Sequence, residues 1–279
     1  MQLLSSLRGS VASIAIALTP VISEGATYFD ITPQWSGVSG SQITVHGTTH
    51  ATTTNVFTGV STAPVSYRYI QHNQRIFQYD FGAEPGDDSN TTGYPGFNTD
   101  NSAYYDANGA ITSITSTGLP GSSAQNSQSV RLQIVSDLQY WTGSGFGAVP
   151  DSETLRLNRT ITSFVTVGTG TGSLTLNIPL TSAGGLHVHL ISTLRDELGG
   201  IATPTSGVYM IEARIGSTHA IAGASEKIWL VYDMEAAAGQ QGAAANWIQT
   251  NLIPEPGAAM LIAGPGLWLL RRRRTAVVK

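Results

Sequence analysis

Six histidines and a scatter of carboxylates are the residues of this sequence that can do chemistry, since it contains no cysteine. His187 and His189 stand two apart in Leu186-His187-Val188-His189-Leu190. In an extended chain that spacing puts both imidazoles on one face and the three aliphatic side chains on the other. Two imidazoles on one sheet face can share a divalent metal when a third donor lies across the strand. Without that donor they are the polar, solvent-facing half of an amphipathic strand. His46 and His50 have the i, i+4 spacing of a helical zinc pair, but their Thr-rich surroundings are strand-like and no Glu accompanies them. His72 and His219 are isolated, and surface placement is the expectation for both.

Other chemistries find less to work with. Cupin-type jelly-roll metalloenzymes add a Glu four or five residues after the second histidine. Here those positions hold Thr193 and Leu194, and the first acids are Asp196 and Glu197. Oxygen ligands gather in the polar segment 83–109, where Asp87, Asp88 and Asp100 are candidate calcium ligands of the kind extracellular modules use. Their spacing is not that of an EF-hand, and solvated turn residues have the same composition. No G-x-S-x-G nucleophile elbow exists, because Gly37-Val38-Ser39-Gly40 runs into Ser41. Gly168-Thr169-Gly170-Thr171-Gly172 lies between strand patterns and opens no helix, so it cradles no phosphate. Trp35, Trp141 and Trp229 offer a sugar-stacking platform, although large aromatics in sheet proteins are more often core. No catalytic residue is selected, and an acid pair for glycoside hydrolysis would meet only in three dimensions. The expectation is a protein that is not an enzyme, with a divalent metal as its one candidate cofactor.

The elements that must position these residues are strands. Gln74 to Phe81 alternates over eight residues, with Phe77, Tyr79 and Phe81 on one face. Leu174, Leu176 and Ile178 do the same in 173–178. Segments 27–32, 41–46, 65–70, 131–136, 160–167, 186–190, 207–215 and 226–232 are rich in β-branched and aromatic residues. Gly-rich connections separate them. Ten or more short strands predict an all-β fold, a single β-sandwich or jelly-roll-like domain over residues 26–234. Residues 83–109 read as one long loop, and 235–251 as a linker because Gly239 and Gly242 interrupt its helical pattern.

The two ends read as targeting segments. Arg8 and the uncharged run Val11–Ile22 form a signal-peptide pattern, with Ser23 and Gly25 in the spacing of a cleavage site, giving a signal peptide over 1–25. At the other end, over 252–275, Pro254-Glu255-Pro256 precedes the uncharged run Gly257–Leu270 and then Arg271, Arg272, Arg273 and Arg274. The prolines keep the backbone extended, the apolar run can enter a bilayer, and four arginines hold the tail on the cytoplasmic side. This order and spacing resembles the PEP-CTERM sorting signal of bacteria that secrete extracellular polymers. The resemblance implies recognition of Pro254-Glu255-Pro256 by an exosortase-type membrane enzyme. It also implies transient anchoring through residues 257–270 and a destination at the cell surface or extracellular matrix, with polysaccharide as a neighbour. The body, through Ser136–Trp141, His187–His189, Gly207–Tyr209 and Ile228–Tyr232, is similar to a domain type that recurs ahead of this signal and to which no activity attaches.

Charge agrees with that destination. The chain has 279 residues, 11% of them charged, and a formal net charge of −4. Setting aside Arg8, Glu24, Glu255, Arg271–Arg274 and Lys279 leaves eight basic and sixteen acidic residues in the body, a net −8. An acidic body cannot displace counterions from phosphate, which excludes nucleic acid as a partner. Ser, Thr and Gly together make up 91 residues, a polar surface composition for an exported sheet protein. The lack of cysteine leaves the fold to hold itself by its core.

Overall fold

A computed structural model describes residues 29–49, 68–82, 91–92, 94–99, 102–123, 126–196 and 204–253. Most of them form β-strands in several sheets, with one short helix. In chain order the first nine strands are β1 (Asp30–Gln34), β2 (Thr44–Thr48), β3 (Ile70–Gln71), β4 (Ile76–Asp80), β5 (Thr91–Thr92), β6 (Gly96–Asn98), β7 (Ser102–Tyr105), β8 (Ile111–Ile114) and β9 (Ser129–Ile134). The next five are β10 (Gln139–Trp141), β11 (Phe146–Ala148), β12 (Thr154–Thr160), β13 (Ser163–Val167) and β14 (Leu174–Pro179). The chain then continues through β15 (His187–His189), β16 (Ile191–Arg195), β17 (Gly207–Ser217), β18 (Ile228–Met234) and helix α1 (Gln240–Asn251).

Among the described residues these strands form sheets of five, seven, four and two members. The five-stranded sheet runs β15-β6-β1-β2-β3 and the four-stranded one β13-β12-β16-β5. In the seven-stranded sheet the order β11-β10-β17-β18-β4 is extended by β9 and β14. The eleven-residue β17 pairs along one edge with two consecutive strands: Tyr209 faces Tyr140 of β10, and Ala213 faces Ile134 of β9. At the junction Ser136 Oγ accepts the Glu212 amide at 2.8 Å, which satisfies a buried strand group where the pairing changes hands. β18 adds antiparallel to β17, and β4 adds parallel to β18.

Burial follows the alternation. In β14, Leu176 and Ile178 are buried while Thr175 and Asn177 are exposed. One hydrophobic cluster collects Ile31 and Phe97 of the five-stranded sheet, Tyr79, Ile211 and Leu230 of the seven-stranded sheet, and Leu155 and Leu157 of the four-stranded sheet. Each large apolar side chain buried this way stabilises by about 1.5–3 kcal/mol. β17 and β18 depart from alternation because both of their faces are covered. Tyr209, Ile211, Leu230 and Tyr232 join the main cluster, whereas Val208, Met210, Trp229 and Val231 face a second cluster with Ala244 and Ile248 of α1.

Helix α1 corrects the linker expected over 235–251. Gly239 stands at its N-cap with φ 80°, a conformation glycine adopts without strain, and Gly242 is accommodated inside the helix. Ala244 and Ile248, one turn apart, supply the packing that propensity alone does not. Gln241 Nε2 adds a clamp, donating to Tyr79 O at 3.1 Å and to Asp80 Oδ1 at 2.9 Å. A second correction concerns 83–109. Residues 83–90 lie outside the described residues, but β5, β6 and β7 fall within the expected loop. These strands have two to four residues and are specified by partners elsewhere in the chain: β5 by β16, β6 by β1 and β15. Of the described residues of segment 65–70, Ile70 belongs to β3, whereas β10, β11, β12 and β16 form where no strand was expected over most of their length.

Candidate functional site

β15 sits at the edge of the five-stranded sheet, antiparallel to β6, with His187 opposite Asn98 and His189 opposite Gly96. Both imidazoles are exposed on one face and their centroids are 5.7 Å apart, while Val188 packs against the main core. Asp30 lies two strands in, on β1, almost fully buried, with Oδ1 4.0 Å from His189 Nε2. Gly96 makes this approach possible, because a Cβ at that position would collide with the Asp30 carboxylate. Asn98 Nδ2 donates to Asp30 Oδ2 at 3.4 Å. The Tyr79 phenol is pushed well above its ordinary range by burial, then by Tyr232, Asp30 and Tyr94. The fold therefore brings an acid across the strand to His189, although among the described residues no group of three or more His, Cys, Asp or Glu is arranged to hold a metal.

A second histidine pair has no counterpart in the sequence reading. β2 and β3 run antiparallel with Gly47 opposite Gln71, so His46 and His72 meet at the next register step. Their Nδ1 atoms are 3.3 Å apart, and the rings lie 5.0 Å centroid to centroid at 89°. The Asn73 amide donates to His46 Nδ1 at 3.3 Å, which puts the proton of a neutral His46 on Nε2, facing Thr44 Oγ1 at 3.4 Å. Burial, reinforced by His72, lowers the His46 pKa to about 4. The expectation that His72 is isolated is thus corrected. The partners are separated by 26 residues, and only strand register joins them.

Beside this pair runs a groove of about 380 Å³ lined by Thr44, Asn73, Gln74, Arg75 and Glu226, among others, with Arg75 and Glu226 joined in an ion pair. Comparison with protein-family models, with curated proteins and with solved structures found no match. The arrangement of side chains is therefore what speaks for function.

The tryptophans are core rather than platform. Trp35, Trp141 and Trp229 are all buried. Trp35 carries His219 edge-on at 5.3 Å, and the Arg75 guanidinium sits 5.4 Å from the Trp229 ring. Trp141 packs with Phe146 and with Trp247 of α1. Past α1, Leu252 and Ile253 pack against the same helix–sheet cluster. His50, Asp87, Asp88 and Asp100 lie outside the described residues, as do the signal segment 1–25, Pro254, Glu255, Pro256, the run 257–270 and Arg271–Arg274. Among the described residues no helix is long and apolar enough to cross a membrane.

Proposed function

We propose that this chain is a non-catalytic exported protein of the cell surface or extracellular matrix. In this reading residues 1–25 direct export. An exosortase-type membrane enzyme recognises Pro254-Glu255-Pro256 while the run 257–270 and Arg271–Arg274 hold the tail in the membrane. The β-rich body then remains in the envelope beside extracellular polysaccharide. The observation that carries the reading is the order of Pro254-Glu255-Pro256, the uncharged run 257–270 and Arg271–Arg274 in the sequence. A sandwich or jelly-roll arrangement of the body is supported by the single cluster that draws on three sheets.

Mass spectrometry of the native protein tests this. The expected product has lost the signal peptide and ends near Pro256 in the envelope or matrix fraction. An intact chain carrying residues 257–279 outside any membrane fraction overturns the proposal.

A second reading, a metal-binding secreted module built on His187 and His189, is favoured by the Asp30 carboxylate 4.0 Å from His189. Elemental analysis after reconstitution decides it, with the His46→Gln/His72→Gln chain as the sample so that only this site is counted. Less than about 0.1 mole of zinc, copper or nickel per chain ends the idea, because assembled protein sites hold such ions tightly.

A further inference from the structure

We propose that His46 and His72 form a two-imidazole chelate for a borderline divalent transition-metal ion, Zn²⁺ or Cu²⁺, bound through their Nδ1 atoms with water in the remaining positions. The site is distinct from His187 and His189 and does not depend on the exported-protein reading.

Distance is the first argument. Metal–imidazole bonds are about 2.0–2.1 Å long, so two nitrogens bound to one ion at a tetrahedral angle stand roughly 3.3 Å apart. His46 Nδ1 and His72 Nδ1 are separated by 3.3 Å. The backbone register of β2 and β3 sets that spacing, so the two donors need not be brought together from a distance.

Protonation is the second argument. The Asn73 amide fixes the lone pair of neutral His46 on Nδ1, on the side of His72, and Thr44 Oγ1 stands by Nε2 as the outer partner a ligating histidine uses to hold its tautomer. With His46 Nδ1 accepting, a proton on His72 Nδ1 completes the contact between the rings. On metal binding His72 shifts that proton to Nε2, the Asn73 contact to His46 is given up, and both rings turn so that their Nδ1 lone pairs converge on the ion. No covalent bond is broken, and water completes the coordination shell.

Electrostatics is the third argument. Asp106 lies in the turn after β7, and its carboxylate accepts the Asn108 and Ala110 amides at 2.9 and 2.8 Å. The parallel bridge between Tyr69 and Tyr105 brings that turn alongside the start of β3. Imidazole donors favour zinc and copper over calcium and magnesium, which take oxygen ligands. An acidic body raises the local concentration of any cation.

Isothermal titration of zinc chloride into the full-length, untagged, chelator-treated chain in detergent tests the assignment. His72 is exposed in a turn, so His72→Gln keeps the fold, as an unchanged melting temperature verifies. The titration is made in a His187→Gln/His189→Gln background, which removes the other histidine pair, and one zinc is expected to bind there with micromolar affinity. Adding His72→Gln or His46→Gln to that background weakens this at least tenfold. Long-range nitrogen–proton NMR of the imidazoles is expected to show Nδ1, not Nε2, as the ligating atom of both residues. A His187→Gln/His189→Gln chain that binds no zinc overturns the proposal, and so does zinc binding in that background that survives His72→Gln.

Discussion

Asp80 and Asp233 stand directly opposite one another in the parallel pairing of β4 with β18. Burial raises the Asp233 pKa from its ordinary value, and the Asp80 charge adds to this against the opposing hydrogen bond from the Ala236 amide. A group whose folded pKa exceeds its unfolded one binds its proton more tightly in the fold, so its ionisation costs stability as pH rises. Asp233→Asn retains an oxygen for the Ala236 amide and has no charge to bury. The variant is expected to melt higher than wild type at pH 7 and at the same temperature near pH 3. Thermal melts at the two pH values check this, and a lower melting temperature at pH 7 contradicts it.

His46 acts in the opposite direction. Its folded pKa of about 4 lies below its ordinary 6.5, so the unfolded chain takes up the proton first as pH falls. Stability is therefore lost between about pH 6.5 and pH 4 and changes no further below that on account of this group. In the presence of a chelator, the melting temperature of wild type should fall more steeply over that window than that of His46→Gln. Parallel curves would remove the buried imidazole as a cause.

At Gly96 a side chain meets the buried carboxylate of Asp30. Gly96→Ala is expected to destabilise by about 1–3 kcal/mol, the usual cost of overpacking a fixed interior. It also displaces Asp30 from His189. Urea denaturation reads the first effect, and an unchanged midpoint shows that the carboxylate yields freely.

Two substitutions in α1 should have opposite signs. Ile248→Ala empties a fully buried position against β17 and β18 and is expected to cost about 2–5 kcal/mol. Gly242 has open space where a Cβ would go and a helical backbone, so Gly242→Ala should gain about 0.5–1 kcal/mol. Denaturant melts measure both. Limited proteolysis adds a local reading, with cleavage in 240–253 faster for Ile248→Ala. Equal rates would mean that α1 contributes little to the body.

Much of the strand content was legible because alternation is a local property. Phe77 and Tyr79, or Leu176 and Ile178, point inward together in any extended chain, and burying them needs no knowledge of their neighbours. The same-face placement of His187 and His189 is legible for that reason too. The fully apolar run Ile228–Tyr232 announced a strand but not that both of its faces are covered. Short β5 and β6 carried no local signal, because two or three residues cannot express a period.

By itself the sequence determined a cysteine-free, acidic, β-rich body and the order of its apolar and charged segments. Tertiary structure alone decided that His46 meets His72, that Asp30 reaches His189 past Gly96, and that 240–251 coils into a helix on the sheet. The physical reason is the same in each case. Which side of a strand a residue takes follows from its own backbone, whereas the residue across from it follows from pairing between distant segments. That choice is made by the packing of the whole core.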